Sequence, residues 1–216
     1  MSRAFDDLLS CFDPAMTIVT TVSGPGRVER VERAERAGCL VGFQTQSSLD
    51  PPRFVVCLSK ANHTFRVGLR AEHFAVHFLT DVDLDMAELF GTRSGDRVDK
   101  FSDCAWSEAI GGTPLLDRLP NRFVGRRVAL LDAGGDHVSL ILEPLRSDHA
   151  GPFQPLRLSR VRHLRPGHES DERPLPPTER SLGGEAGPGG RGSNLSPSSS
   201  RRSRACCRRD PGRRRP

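Results

Sequence analysis

Short apolar runs alternate with turn-forming residues along most of this chain. Seven segments rich in β-branched, aliphatic or aromatic residues are predicted as strands: 16–22, 39–47, 54–59, 73–79, 122–131, 137–145 and 156–164. Helices are predicted over 63–70 and 83–90, the second with Asp83 as its N-cap. Many short strands and few helices indicate a mainly β, antiparallel protein whose sheet closes into a barrel, which removes exposed strand edges.

The apolar pattern stops near residue 168. Beyond it Pro, Gly, Ser and Arg dominate, and such a segment has too little apolar surface to offset the entropy of ordering it. We therefore expect a folded domain over 1–168 and a disordered tail over 169–216. Basic and acidic residues balance in 1–168, so the formal net charge of +5 belongs to the arginine-rich tail. A nucleic-acid-binding role receives support from that tail alone.

Six cysteines are scattered with no CxxC pair and no zinc-like His/Cys spacing, so no metal is expected. Cys39 and Cys57 lie inside apolar runs and are predicted to be small core residues. The chain has no secretory pattern and no apolar run near 18 residues, so we expect a cytoplasmic protein without membrane contact or disulfides. His73 and His77 have a zinc-like HxxxH spacing, but the alternation around them predicts a strand, which separates them by roughly 13 Å.

Two clusters of hydrogen-bonding side chains follow predicted strands. The first runs from Thr45 to Ser48 and precedes a turn stiffened by two prolines, and the second runs from Ser59 to Thr64. Small donors and exposed backbone N–H groups at neighbouring strand ends can hold an anion or the polar edge of a ring. Lys60 adds a loop cation that suits a phosphate dianion.

The stretch from Ala37 to Thr64 resembles the flavin-binding region of the flavin reductase-like family, the FMN-binding split barrels. Further stretches fall in the family's order: the opening helix and first strand at 5–22, Asp99-Lys-Phe101 with Trp106, Gly135-Asp-His137, and 155–167. The resemblance implies a Greek-key, antiparallel split β-barrel with a few short helices. It also implies the following cofactor-binding residues: Thr45, Gln46, Ser47, Ser48, Leu49, Asp50, Ser59, Lys60, Asn62, His63, Thr64, Lys100 and Phe101.

His137 has two interpretations. Gly135 and Asp136 are typical of a tight hairpin between two strands, in which the histidine has no function. In the family the matching histidine faces the flavin and nicotinamide, so the resemblance implies that His137 is catalytic, orienting the nicotinamide or supplying a proton.

The leading hypothesis is an NAD(P)H-dependent flavin reductase, an oxidoreductase that transfers a hydride from the nicotinamide to N5 of FMN. FAD or the deazaflavin F420 are alternative ligands, because this barrel hosts several flavin-like molecules. The resemblance also implies a homodimer with each flavin near the interface, and a partner monooxygenase. The rival hypotheses are a flavin- or F420-binding protein with another or no redox activity, and a nucleic-acid-associated protein acting through its tail.

Overall fold

A computed structural model describes residues 3–24 and 34–167 of the chain. Within these residues there are four helices and nine strands. In chain order they are α1 (Arg3–Ser10), β1 (Thr17–Ser23), β2 (Glu35–Val41), β3 (Gln44–Ser48), β4 (Arg53–Ser59), α2 (His63–Gly68), β5 (His73–Phe78), α3 (Leu84–Thr92), β6 (Trp106–Glu108), β7 (Pro114–Leu116), β8 (Arg122–Leu131), β9 (His137–Asp148) and α4 (Leu158–Val161). The expected tail over 169–216 lies outside the described residues.

Seven strands form one antiparallel sheet in the order β2-β1-β5-β8-β9-β4-β3, and β6 pairs with β7 in a separate hairpin. Residues from distant strands of the sheet, such as Val41 on β2 and Val56 on β4, belong to the same buried cluster. Gln44 lies on the edge strand β3 and contacts the segment before β1, near the opposite edge of the sheet, because its Nε2 donates to the carbonyl oxygen of Ala15 at 2.8 Å. The sheet therefore curls around its core, and the predicted mainly β, antiparallel fold is confirmed.

Side chains alternate across the sheet as the period of two requires. On β4, Val56 and Leu58 point into the core, whereas Cys57 faces the other way and is only half-buried. The prediction of a core position is correct for Cys39, which is 3% exposed, and wrong for Cys57. Its Sγ lies 3.5 Å from Ser139 Oγ on the neighbouring strand.

A second buried cluster lies against the other face of β1. It joins Met16 and Ile18 to Phe90 of α3 and to Leu156 and Val161 after β9. The segment after β9 thereby returns to the first strand. This return places α3 and α4 beside the ends of β2 and β4.

Most predicted elements are confirmed, including both helices and the strand that carries His73 and His77. The prediction of a single strand over 39–47 is wrong, because the chain exchanges β1 for β4 as its partner at Gly42 and Phe43. The prediction of a strand over 156–164 is also wrong. There the Asp13 carboxylate accepts hydrogen bonds from the backbone N–H and hydroxyl of Ser159, at 2.7 and 2.8 Å, and the chain turns into α4.

The prediction for Asp83 is half right. Asp83 stands at the N-cap of α3 but makes no capping bond to that helix. Its carboxylate accepts hydrogen bonds from the N–H and hydroxyl of Thr80, at 2.9 and 2.6 Å, and so closes the preceding 3₁₀ turn. Among the helices described, none is long and apolar enough to cross a membrane.

Candidate functional site

A cavity of about 480 Å³ opens where β2 and β4 end beside α3 and the segment after β9. This volume is in the range of small-molecule sites, roughly 300–1,000 Å³. We call it the main cavity. Its apolar wall includes Met16, Leu40, Val41, Leu58, Phe90 and Val161, and its polar lining consists of Ser59, Asn62, Asp136, His137 and Arg162. Apolar walls with a few polar groups suit a planar, largely apolar ring with polar edges.

The turn after β4 supplies two of the polar groups. Ser59 is the last residue of β4, and its carbonyl oxygen accepts from the N–H of Asn62 at 3.0 Å. Asn62 caps α2, because its Oδ1 accepts from the N–H of Thr64 at 3.0 Å. The cap uses the amide oxygen and leaves the amide NH₂ as a donor.

His137 reaches the main cavity from the turn between β8 and β9. Asp132 shapes this turn, because its carboxylate accepts from the N–H of Gly134 at 2.8 Å and pairs with Lys60 Nζ at 2.9 Å. Gly134 has a φ of +84°, which favours glycine. The hairpin is thus observed, and it is attached to the turn after β4.

The strand register places His137 directly opposite Ser59. The imidazole Nδ1 lies 2.9 Å from Asp136 Oδ1, and the ring meets Phe43 edge to face at 5.3 Å between centroids. The bond to His137 holds the pKa of the Asp136 carboxyl below its usual value. With Nδ1 held by a carboxylate, Nε2 is the nitrogen left for a ligand.

Three predicted cofactor-binding residues lie around a second, smaller cavity of about 260 Å³: His63, Lys100 and Phe101. Both ring nitrogens of His63 contact carboxylates, with Nδ1 3.0 Å from Asp96 and Nε2 3.3 Å from Glu35. The pKa of Asp96 is lowered to about 2, mainly by the hydrogen bond from Arg66 and also by the one from His63.

Lys100 is almost fully buried, and its ammonium points at the backbone. Nζ donates to the carbonyl oxygens of Gly38 and Arg93 at 2.5 and 3.1 Å and lies 5.3 Å from the centroid of Phe90. Burial lowers the pKa of Lys100. Phe90 lines the main cavity, so Lys100 supports that wall from behind.

The remaining predicted residues line neither cavity. Thr45, Gln46, Ser47 and Ser48 lie on β3 at the edge of the sheet, Leu49 is 82% exposed, and Asp50 follows in the turn. Thr64 is buried inside α2, and Lys60 is paired with Asp132. Of the predicted residues, the main cavity brings together Ser59, Asn62 and His137.

The sequence predictions missed several cavity residues. Phe43 stands where a strand changes partner, Phe90 is typical of a helix core, and Arg162 lies in a segment predicted as a strand. Asp136 was part of the hairpin pattern, but nothing in the pattern indicated that its carboxylate contacts His137. No local sequence signal identifies Phe43, Phe90 or Arg162 as cavity residues.

Comparison with known proteins decides the family. Residues 9–164 match the family described as "Flavin reductase like domain". The chain belongs to the flavin reductase-like family. It is 32% identical over 148 residues to "FMN reductase (NADH) SmoA" of Agrobacterium fabrum, covering 68% of this chain and 77% of SmoA.

A second relative by sequence matches over a smaller part of its own length, and a solved structure matches in fold. Identity is 29% over 143 residues to "Stachydrine N-demethylase reductase subunit Stc3" of Rhizobium meliloti, which covers 64% of this chain and 55% of Stc3. The Streptomyces globisporus NADH:FAD oxidoreductase SgcE6 superposes with a TM-score of 0.60 at 20% identity, covering 81% of this chain and 92% of SgcE6. The resemblance seen in the sequence is confirmed, and SgcE6 shares the fold.

Proposed function

We propose that this chain catalyses the reduction of a flavin by NAD(P)H, with the flavin ring in the main cavity. The observation that carries the proposal is the cavity itself, with its apolar wall and its polar residues from two adjoining turns. Family membership and the name of SmoA support FMN as the flavin and a nicotinamide nucleotide as the reductant.

Each part of the main cavity has a task in this reaction. A bound flavin supplies the acceptor for the hydride of NAD(P)H, and the protein supplies position, electrostatics and exclusion of water. Leu58 and Phe90 are among the side chains that keep water from the ring. Ser59 and the NH₂ group of Asn62 donate hydrogen bonds to the polar edge of the ligand. The remaining predicted cofactor-binding residues stay part of this proposal.

His137 is the proposed catalytic residue. Asp136 orients the imidazole through Nδ1, so that Nε2 faces the ligand and either accepts a hydrogen bond or donates a proton. Such a role acts on turnover more than on flavin binding, because the apolar wall and the turn after β4 hold the flavin.

The experiment is a kinetic comparison of His137→Gln with wild type. We expect kcat to fall, or the KM for the nicotinamide nucleotide to rise, by about 10²–10⁴-fold, with FMN affinity within a few fold. The matched control is His149→Gln, which changes an exposed histidine and leaves the kinetics unchanged. Wild-type kinetics in His137→Gln would return His137 to the role of a simple hairpin residue.

The proposal extends to a homodimer with each flavin near the interface, and to a cytoplasmic enzyme that delivers reduced flavin to a partner monooxygenase. Stc3 is named as a reductase subunit, which supports a partner of this kind. Size-exclusion chromatography with light scattering measures the mass of the particle. A flavin-loaded monomer would contradict the homodimer while leaving the proposed reaction intact.

A further inference from the structure

Helix α1 carries an apolar stripe without a partner among the described residues. Phe5, Leu8 and Leu9 of α1 and Phe12 in the turn just after it follow the i, i+3, i+4, i+7 spacing that places side chains on one helix face. They are 49%, 65%, 49% and 67% exposed, and no residue of α1 is buried. An eight-residue helix is marginal by itself in water, so its stability requires a packing partner.

Polar contacts hold the end of α1 without covering this stripe. Arg162 Nη2 donates to the carbonyl oxygen of Ser10 at 2.9 Å and to that of Phe12 at 3.4 Å. Asp13, just beyond, binds Ser159. These contacts fix the direction of the helix and leave its apolar face toward the surroundings.

A second apolar surface lies on the outside of the sheet. Val55, Ile141 and Ala129 are neighbours across β4, β9 and β8. Their side chains point away from the core, because the alternate residues Val56, Leu140 and Leu142 are buried in it, and Leu130 packs against it. Leu131, on the same face of β8, is 58% exposed. We call Val55, Ala129, Leu131 and Ile141 the outer strip.

The charges beside the two surfaces are complementary. A row of Arg53, Glu143 and Arg126 borders the outer strip, joined by ion pairs, and has one positive charge in excess. Helix α1 carries Asp6 and Asp7 against Arg3, an excess of one negative charge. An approach of α1 to the strip therefore brings opposite net charges together.

We propose that α1 of one copy of this chain packs across the outer strip of a second copy, and reciprocally. One molecule carries both surfaces, so the contact forms twice about a two-fold axis. The four stripe residues, each about half exposed, present on the order of 400 Å². With an equal area from the outer strip, whose residues are half-buried except for the exposed Leu131, and from the charged row beside it, two contacts bury about 1,600 Å², the size of a standard stable interface.

This arrangement rests on the homodimer of the proposed function and deepens it. Val55 of the outer strip pairs with Thr45 on β3, so the helix of the second copy lies beside the predicted flavin-binding residues of β3. A second copy thus gives these edge residues the enclosure that they lack in one chain.

The test compares dimer stability by sedimentation at a series of concentrations. Leu8→Asp with Phe12→Asp should raise the dimer dissociation constant at least about a hundredfold, because each substitution removes a buried apolar side chain from the contact and puts a charge in its place. Val82→Asp with Ile110→Asp is the matched control, because it places the same charges on exposed apolar positions elsewhere, at 78% and 40% exposure. Circular dichroism checks that each variant is folded.

A second variant tests the outer strip directly. Leu131→Lys should weaken the dimer, and combining it with Leu8→Asp should restore part of the lost affinity through a new ion pair. Wild-type dimer affinity in the α1 and Leu131 variants would overturn the inference and leave the homodimer standing. A wild-type monomer would overturn both, while NAD(P)H oxidation still tests the reaction separately.

Discussion

His77 should make the protein less stable as the pH falls from 7 to 5. Its side chain is completely buried, with Nδ1 3.2 Å from the carbonyl oxygen of Ile18 and Nε2 accepting from the N–H of Leu116 at 3.1 Å. The neutral imidazole thus joins β1, β5 and β7. Burial, opposed by the bond to Ile18 and assisted by Arg122, lowers the pKa of His77 to about 3.

The direction and size of this change in stability follow from the pKa values of His77 in the unfolded and folded chain. The unfolded chain binds a proton near pH 6.5 and the folded chain only near pH 3, so stability is full above pH 6.5 and is lost as the pH falls. Each pH unit below 6.5 costs about 1.4 kcal/mol, which amounts to about 2 kcal/mol between pH 7 and pH 5. Most carboxylates remain ionised in this window, so their contribution is small.

The assay is urea unfolding of wild type, His77→Gln and His73→Gln at pH 7 and pH 5. Glutamine does not titrate, so His77→Gln should be less stable at pH 7 but lose most of this pH dependence. His73→Gln changes the half-buried histidine at the start of the same strand and should keep it. The reasoning would be refuted if the wild type were equally stable at both pH values. It would also be refuted if His77→Gln lost as much stability between pH 7 and pH 5 as the wild type does.

Three further substitutions test the supports of the main cavity. Gly38→Ala places a Cβ 2.8 Å from Phe90 Cε1, so we expect the free energy of unfolding to fall by about 1–3 kcal/mol and FMN binding to weaken. Gly24→Ala is the control, because a Cβ there meets nothing within 4 Å, and it should change neither quantity. Thermal melts and FMN titrations measure the two effects. Lys100→Met removes the ammonium that donates to the buried carbonyl oxygen of Gly38 and the part-buried one of Arg93. It should cost about 1–3 kcal/mol in urea unfolding, against at most about 1 kcal/mol for Lys60→Met. Equal losses in the two lysine variants would contradict this role. Ser47→Ala with Ser48→Ala should weaken FMN binding by about 1.5–3 kcal/mol per lost bond to a charged group, and unchanged affinity would remove these residues from the site.

The strands could be predicted because their physical cause is local. Residues 137–142 of β9 alternate between half-buried and buried, since every second side chain enters the core. The same alternation separated a strand from a zinc-binding helix at His73 and His77. This strand, β5, is buried on both faces, because Ala75 packs against Leu115 of β7.

Features that depend on distant partners could not be predicted. β2 begins at the charged pair Glu35 and Arg36, which in sequence is typical of a solvated segment. The structure places the guanidinium of Arg36 4.7 Å from the centroid of the Trp106 ring, a contact with a residue 70 positions away. Lys100 reads as a surface cation because the carbonyl oxygens that hold it belong to other segments.

The same limit applies to the site. Ser59 and Asn62 could be found because polar residues at strand ends are a local pattern, whereas His137 was found through the family resemblance. Phe43 and Phe90 could not, since an aromatic residue in the wall of a cavity has the same local signature as one in a core. The predicted cofactor-binding residues on β3 line neither described cavity, and nothing in their local pattern indicates this.

The most direct test of the proposed function is NADH and NADPH oxidation by the full chain with and without FMN, alongside an FMN titration. Ser59→Phe fills the main cavity, and Ser107→Phe places the same ring on exposed β6. We predict FMN-dependent oxidation by wild type and by Ser107→Phe, and loss of both FMN binding and oxidation in Ser59→Phe. Wild-type protein that neither binds FMN nor oxidises either nucleotide, or full activity in Ser59→Phe, would contradict the proposal.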